Sequence, residues 1–110
     1  MVALLSCADL APGSVQRVDV AGFPPLAVYN VDGSYFVSDD TCSHGNASLA
    51  EGFLEGDEIE CPWHNGKFCV RTGAATAYPA MVAVCTYSVE IADGQVCIAA
   101  PSEEAIAKPD

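Results

Sequence analysis

Both histidines of this 110-residue chain stand just after a cysteine, in Cys42-Ser43-His44-Gly45 and in Cys61-Pro62-Trp63-His64-Asn65-Gly66. Thiolate sulfur and imidazole nitrogen are the side-chain donors that suit iron–sulfur clusters and zinc. A lone cysteine or histidine is ordinarily a packed core residue. Two matched boxes that hold every histidine of the chain read instead as a metal-ligating set. Such a set constrains the fold, because segments separated by sixteen residues must converge on one centre. Gly45 and Gly66 follow the histidines closely and would let both loops turn tightly, bringing backbone N–H groups towards ligand sulfur.

The chain around the boxes reads as β-structure. Ser14 to Val20 alternates apolar and polar residues after Pro12-Gly13. Leu26 to Val31 and Tyr35 to Val37 flank Asp32-Gly33, a strong hairpin dipeptide because both turn positions need φ > 0. Ile59 to Cys61 and Lys67 to Val70 bracket the second box. Val82 to Ile91 and Val96 to Ala99 flank Asp93-Gly94, a second hairpin signal. No stretch before the tail sustains a helical apolar stripe. These features predict an all-β fold, an antiparallel sandwich or barrel, as a single domain over 1–110 with a loosely held tail from about 101 to 110. Asp40 to Gly56 is the longest interval without a strand pattern and starts at the first box, as a functional loop does.

Composition narrows the function classes. An apolar content of 51% argues against disorder. Four basic and fifteen acidic residues give a net charge of −11, which repels nucleic acid and anionic membranes and favours solubility. Met1 to Cys7 lacks a basic region and is too short for a signal peptide, and no apolar run approaches the ~20 residues of a membrane span. The chain is expected in the cytoplasm, where thiols stay reduced. Its six cysteines then read as ligands or buried thiols, not disulfides. Cys7, Cys69, Cys85 and Cys97 are read as buried small hydrophobes.

Two Cys and two His also make a common tetrahedral zinc site, so a zinc-stabilised binding module is an alternative. Zinc fingers, however, place their histidines together on a helix. Here each box contributes one Cys and one His between strands, which favours a [2Fe–2S] cluster. Both histidines are then committed as ligands, no nucleophile–base pair stands out, and no glycine-rich fingerprint for NADH or flavin is present. A one-electron carrier needs none of these.

The boxes, with Glu51-Gly52, Gly56, Gly66-Lys67-Phe68, Val70-Arg71-Thr72-Gly73 and Tyr78-Pro79-Ala80, resemble the Rieske family. The likeness is nearest to the Rieske ferredoxins of bacterial multicomponent aromatic-ring dioxygenases and runs from about Ala3 to Ile98. It implies a cluster-binding subdomain over about 40–80 on an all-β base. It further implies that Cys42 and Cys61 bind the inner iron of one [2Fe–2S] cluster, and that His44 and His64 bind the outer iron through ring nitrogens at the surface. Pro79, within Ala77 to Met81, matches the family's loop over the cluster. The implied protein is a soluble monomer, not itself an enzyme. It takes electrons from an NADH-dependent flavoprotein reductase and passes them to a ring-hydroxylating oxygenase. A Rieske-type small subunit of a reductase, such as that of nitrite reductase, is the other reading.

Two neutral histidines in place of thiolates ease reduction, so Rieske potentials span about −150 to +300 mV against about −400 mV for plant-type ferredoxins. High-potential members carry an extra, disulfide-bonded cysteine in each box; Ala47 and Trp63 stand at those positions here. Those members also carry Ser and Tyr after the second His, where this chain has Gly66 and Phe68. Without those hydroxyl donors the expected potential is near the low end, about −150 mV. Trp63 is expected to pack against the cluster or the core and limit water. Lys67 and Arg71 read as charges solvating a strand face. Asp39, Asp40, Glu51, Glu55, Asp57, Glu58 and Glu60 concentrate acid between the boxes, a candidate docking surface whose steering weakens with salt.

Overall fold

A computed structural model of the protein describes residues 1–42, 47–63, 66–77 and 83–99. Among them the strands are β1 (Val2–Ser6), β2 (Ser14–Val18), β3 (Leu26–Val31), β4 (Ser34–Asp39), β5 (Phe53–Glu55), β6 (Glu58–Glu60), β7 (Lys67–Cys69), β8 (Ala75–Ala77), β9 (Thr86–Tyr87), β10 (Glu90–Ala92) and β11 (Gln95–Ile98). Every pairing is antiparallel, in three sheets ordered β1-β11-β10, β2-β3-β4-β9 and β5-β6-β7-β8. The chain is all-β, with two short 3-10 turns at Cys7–Asp9 and Leu49–Glu51. None of its described helices is long and apolar enough to cross a membrane.

The strand β3 shows how the layers stack. All six of its residues are buried, a pattern that an antiparallel strand shows only when both faces of its sheet are covered. Because side chains alternate along a strand, Ala27, Tyr29 and Val31 enter one core and Leu26 and Val28 enter another. The first core also takes Ile59 and Phe68 from the β5–β8 sheet and both box cysteines. The second takes Val96 and Ile98 of β11 and, at its margin, Leu4 and Leu5 of β1. The β2-β3-β4-β9 sheet is therefore the middle layer. Asn30, the buried polar residue of β3, is satisfied: its amide donates to Leu10 C=O at 2.8 Å and its Oδ1 accepts from Gly33 N–H at 2.8 Å.

Both hairpin dipeptides form the expected turns, with φ of 51° and 91° at Asp32 and Gly33 and 53° and 72° at Asp93 and Gly94. Two strand expectations need correction, and one strand was not expected. The interval from Asp40 to Gly56 contains β5, a three-residue strand whose extent is set by pairing with β6 across Gly56-Asp57. The expected arm from Val82 to Ile91, whose first residue lies outside the described residues, is not continuous. Thr86–Tyr87 stays on β4, while Glu90–Ala92 joins β11 in another layer, so the chain breaks between them. The unexpected strand is β1, whose alternation is upset by a bulge between Ala3 and Leu5. The predicted tail, 101–110, lies outside the described residues.

Candidate metal centre

Each box is a short loop closed by the same backbone bond. The Cys42 N–H donates to Ala47 C=O at 2.9 Å, and the Cys61 N–H donates to Gly66 C=O at 2.7 Å. In both cases the cysteine is the first residue of the closed loop and its partner lies five positions on. The first loop leaves β4 on a stem in which Thr41 bridges Ser48 and the Leu49 N–H donates to Asp40 C=O at 2.7 Å. The second loop is the β6–β7 hairpin, with Glu60 opposite Lys67 at its base.

The two loops meet through backbone. A Cβ added at Gly52, on the return from the first loop, would sit 1.9 Å from the Glu60 carbonyl oxygen. Only glycine lets the first loop's return lie against the strand that delivers Cys61. Asp40 braces the same return: its Oδ1 accepts from the Ala50 N–H at 2.9 Å. With the residue only 1% exposed, that carboxylate is part of the stem. It does not belong to the acidic docking surface expected of it.

Cys42 and Cys61 are 3% and 1% exposed and lie in one cluster of contacting buried side chains with Ala47, Leu49, Ile59 and Phe68. Two buried sulfur donors on matched loops, packed in one core, fit the thiolate half of a Cys₂His₂ [2Fe–2S] site. In the same cluster Tyr29 donates to Ser38 Oγ at 2.8 Å, since the Ser38 hydroxyl itself donates to Asp39 C=O at 2.9 Å. Burial pushes the Tyr29 phenol above its ordinary value and Asp40 adds to this, against the opposing effect of the Ser38 hydrogen bond. The other two predicted ligands, His44 and His64, lie outside the described residues, as does Pro79.

Several secondary expectations change. Trp63 is 61% exposed, so it does not fill the core. It sits in the turn beyond Cys61, the last buried residue of that arm. Cys85 is exposed and Cys7 and Cys69 are half-buried; among these four only Cys97 is a buried small hydrophobe. Arg71 does more than solvate a strand. Its Nε pairs with Asp57 Oδ2 at 3.3 Å and its guanidinium lies 4.9 Å from the Phe36 ring centroid, tying the β7–β8 turn to the middle sheet. The sequence placed Gly52 only within the family likeness and Asp40 only among the acids between the boxes, and gave neither a part in bracing the loops. The signal for the first was Glu51-Gly52 within the family likeness; Gly52 caps the 3-10 turn Leu49–Glu51.

Residues 1–88 match the Rieske [2Fe-2S] domain family. The ferredoxin CarAc of Metapseudomonas resinovorans is 45% identical over 94 residues, covering 86% of this chain and 88% of that protein. The ferredoxin of Sphingomonas yanoikuyae B1 superposes with a TM-score of 0.89 at 47% identity, over 91% of this chain and 98% of that one. A chain from the complex of reduced oxygenase and oxidized ferredoxin in carbazole 1,9a-dioxygenase superposes with a TM-score of 0.85 at 43% identity, over 89% and 91%.

Proposed function

Because this chain belongs to the Rieske [2Fe–2S] domain family, we propose that it carries single electrons from an NADH-dependent flavoprotein ferredoxin reductase to the terminal oxygenase of a ring-hydroxylating dioxygenase. With ferredoxins as its relatives, it is an electron-transfer component that holds a Rieske cluster, not a catalyst on its own. The oxygenase partner is carried over from the ferredoxin–oxygenase complex among its structural neighbours. The reductase, the cytoplasmic location and the monomeric state rest on the sequence.

The ligand set we propose is Cys42, His44, Cys61 and His64, within a cluster-binding subdomain over about 40–80. When bound, such a cluster accepts and returns one electron at a potential set by its histidine ligation and its hydrogen bonds. The observation that carries the assignment is the matched closure of the two loops, which holds Cys42 and Cys61 in one dry core. In that reading the cysteines supply thiolates from the protein side. The histidines, two and three residues further into their loops, supply the outer edge through which electrons pass.

Electron paramagnetic resonance of the dithionite-reduced protein tests the ligation. A rhombic signal with average g clearly below that of four-cysteine ferredoxins supports it, and an average typical of four cysteines sinks the histidine assignment. Reconstitution tests the role: NADH, a ferredoxin reductase and a ring-hydroxylating oxygenase should oxidise an aromatic substrate only when this protein is added.

A further inference from the structure

The β5–β8 sheet has one face in the core and one face that none of the other described strands covers. Leu54, Ile59 and Phe68 point into the core, while strict pairing puts Phe53, Glu60 and Lys67 in one row of the outer face and Glu55, Glu58 and Cys69 in the next. Phe53 is 68% exposed. It borders a hollow of about 210 Å³ lined also by Leu54, Glu55, Glu58, Glu60 and Lys67. Glu55 stands directly opposite Glu58, a like-charge pair that strains a sheet in isolation and that a cation between them would relieve. An exposed aromatic ring ringed by polar groups is the form of an interface anchor. The row holding Phe53 is also the row next to the Cys61–Gly66 loop, so whatever sits there lies beside the second ligand box.

We propose that the outer face of β5, β6 and β7 is a docking surface for a redox-partner protein that presents lysine and arginine side chains around an apolar recess, with Phe53 entering the recess and Glu55, Glu58 and Glu60 meeting the cations. The inference rests on the carrier reading above. Charge selects the occupant. Among the described residues of this face, three carboxylates against Lys67 alone repel phosphates and anionic lipid. They also repel a second copy of a chain whose net charge is −11.

The test is stopped-flow electron transfer from the reduced holoprotein to ferric cytochrome c, a small basic redox protein whose haem edge is surrounded by lysines. The variants are Phe53→Ala, the pair Glu55→Gln/Glu58→Gln, and the control pair Glu90→Gln/Asp93→Asn on the exposed β10–β11 hairpin, which removes the same charge. Visible absorption confirms equal cluster content. The face pair should lower the second-order rate constant several-fold at low ionic strength and flatten its decline with salt, while the control pair should leave both close to wild type. Phe53→Ala should lower the rate constant at high salt as well, where charge is screened. Equal effects of the two charge pairs, or no effect of Phe53→Ala, would overturn the surface while leaving the carrier role intact. A change in sedimentation without a change in rate would make this face a self-association surface instead. A wild-type holoprotein unable to reduce cytochrome c would remove the carrier reading, and the docking surface with it.

Discussion

Tyr29 sits wholly buried in the same core cluster as the box cysteines, and its hydroxyl starts a chain that runs through Ser38 to the Asp39 carbonyl. Its phenol holds its proton more tightly in the folded protein than in the unfolded chain, where the ordinary value is about 10. The folded state therefore keeps a proton that the unfolded state releases above about pH 10. The stability tied to that proton is fully present below about pH 10 and is lost as pH rises towards the folded value. Tyr29→Phe should cost about 1 kcal/mol at neutral pH, because Ser38 keeps its own bond to Asp39. It should also flatten the fall of melting temperature between about pH 10 and 11. A wild-type melting temperature that rises over that interval would contradict the account. At the same scale, the cysteines should divide by burial and box. Cys61→Ser should abolish bound iron and acid-labile sulfide, whereas Cys85→Ser, at an exposed position, should leave both at wild-type levels.

The elements depend on two glycines for different reasons. Gly33 has φ of +91° with open space where a Cβ would go, so Gly33→Ala should cost only the left-handed conformation, about 1–2 kcal/mol. Gly52 has an ordinary φ of −87° but no room, because a Cβ would meet the Glu60 carbonyl oxygen. Gly52→Ala should therefore push β6 and Cys61 away from the first loop and lower both melting temperature and iron occupancy. Retained iron with an unchanged melting temperature would show that the two loops are not coupled there. This contrast marks what the sequence made legible. Asp32-Gly33 announced its turn because turn chemistry is local, and β3 was bounded correctly by its apolar run. The boxes announced the proposed donors because their spacing has few other uses. Gly52 and the Asp40 brace depend on a meeting of two segments that neighbours in sequence do not reveal. β5 and β8 are three residues each, too short to show a period and held in place by their partners.

At the scale of the whole molecule, the three layers enclose two cores, and the proposed ligands belong to one of them. Cys42 and Cys61 pack with residues of β3, β6 and β7, while the core beneath β1 and β11 contains neither. A metal centre that binds only the folded state stabilises what it is attached to. Its removal should therefore act unevenly. In the apoprotein, amide exchange should accelerate most across Phe53–Ala77, where strands of three residues frame the second box and rely on the shared centre to fix their ends. The longer strands Leu26–Val31 and Ser34–Asp39 pair over six residues and lose support on only one side, so their protection should fall less. Hydrogen–deuterium exchange of matched holo and apo samples, read by mass spectrometry, distinguishes the two regions. Equal loss of protection in both would mean that the two cores unfold as one cooperative unit and that the centre supports the whole molecule. The Arg71 contact with Phe36 is one route for such coupling. Arg71→Gln should then widen the gap between the regions in the apoprotein by cutting that tie, with little change in the holoprotein, where the metal-braced core already holds the layers together.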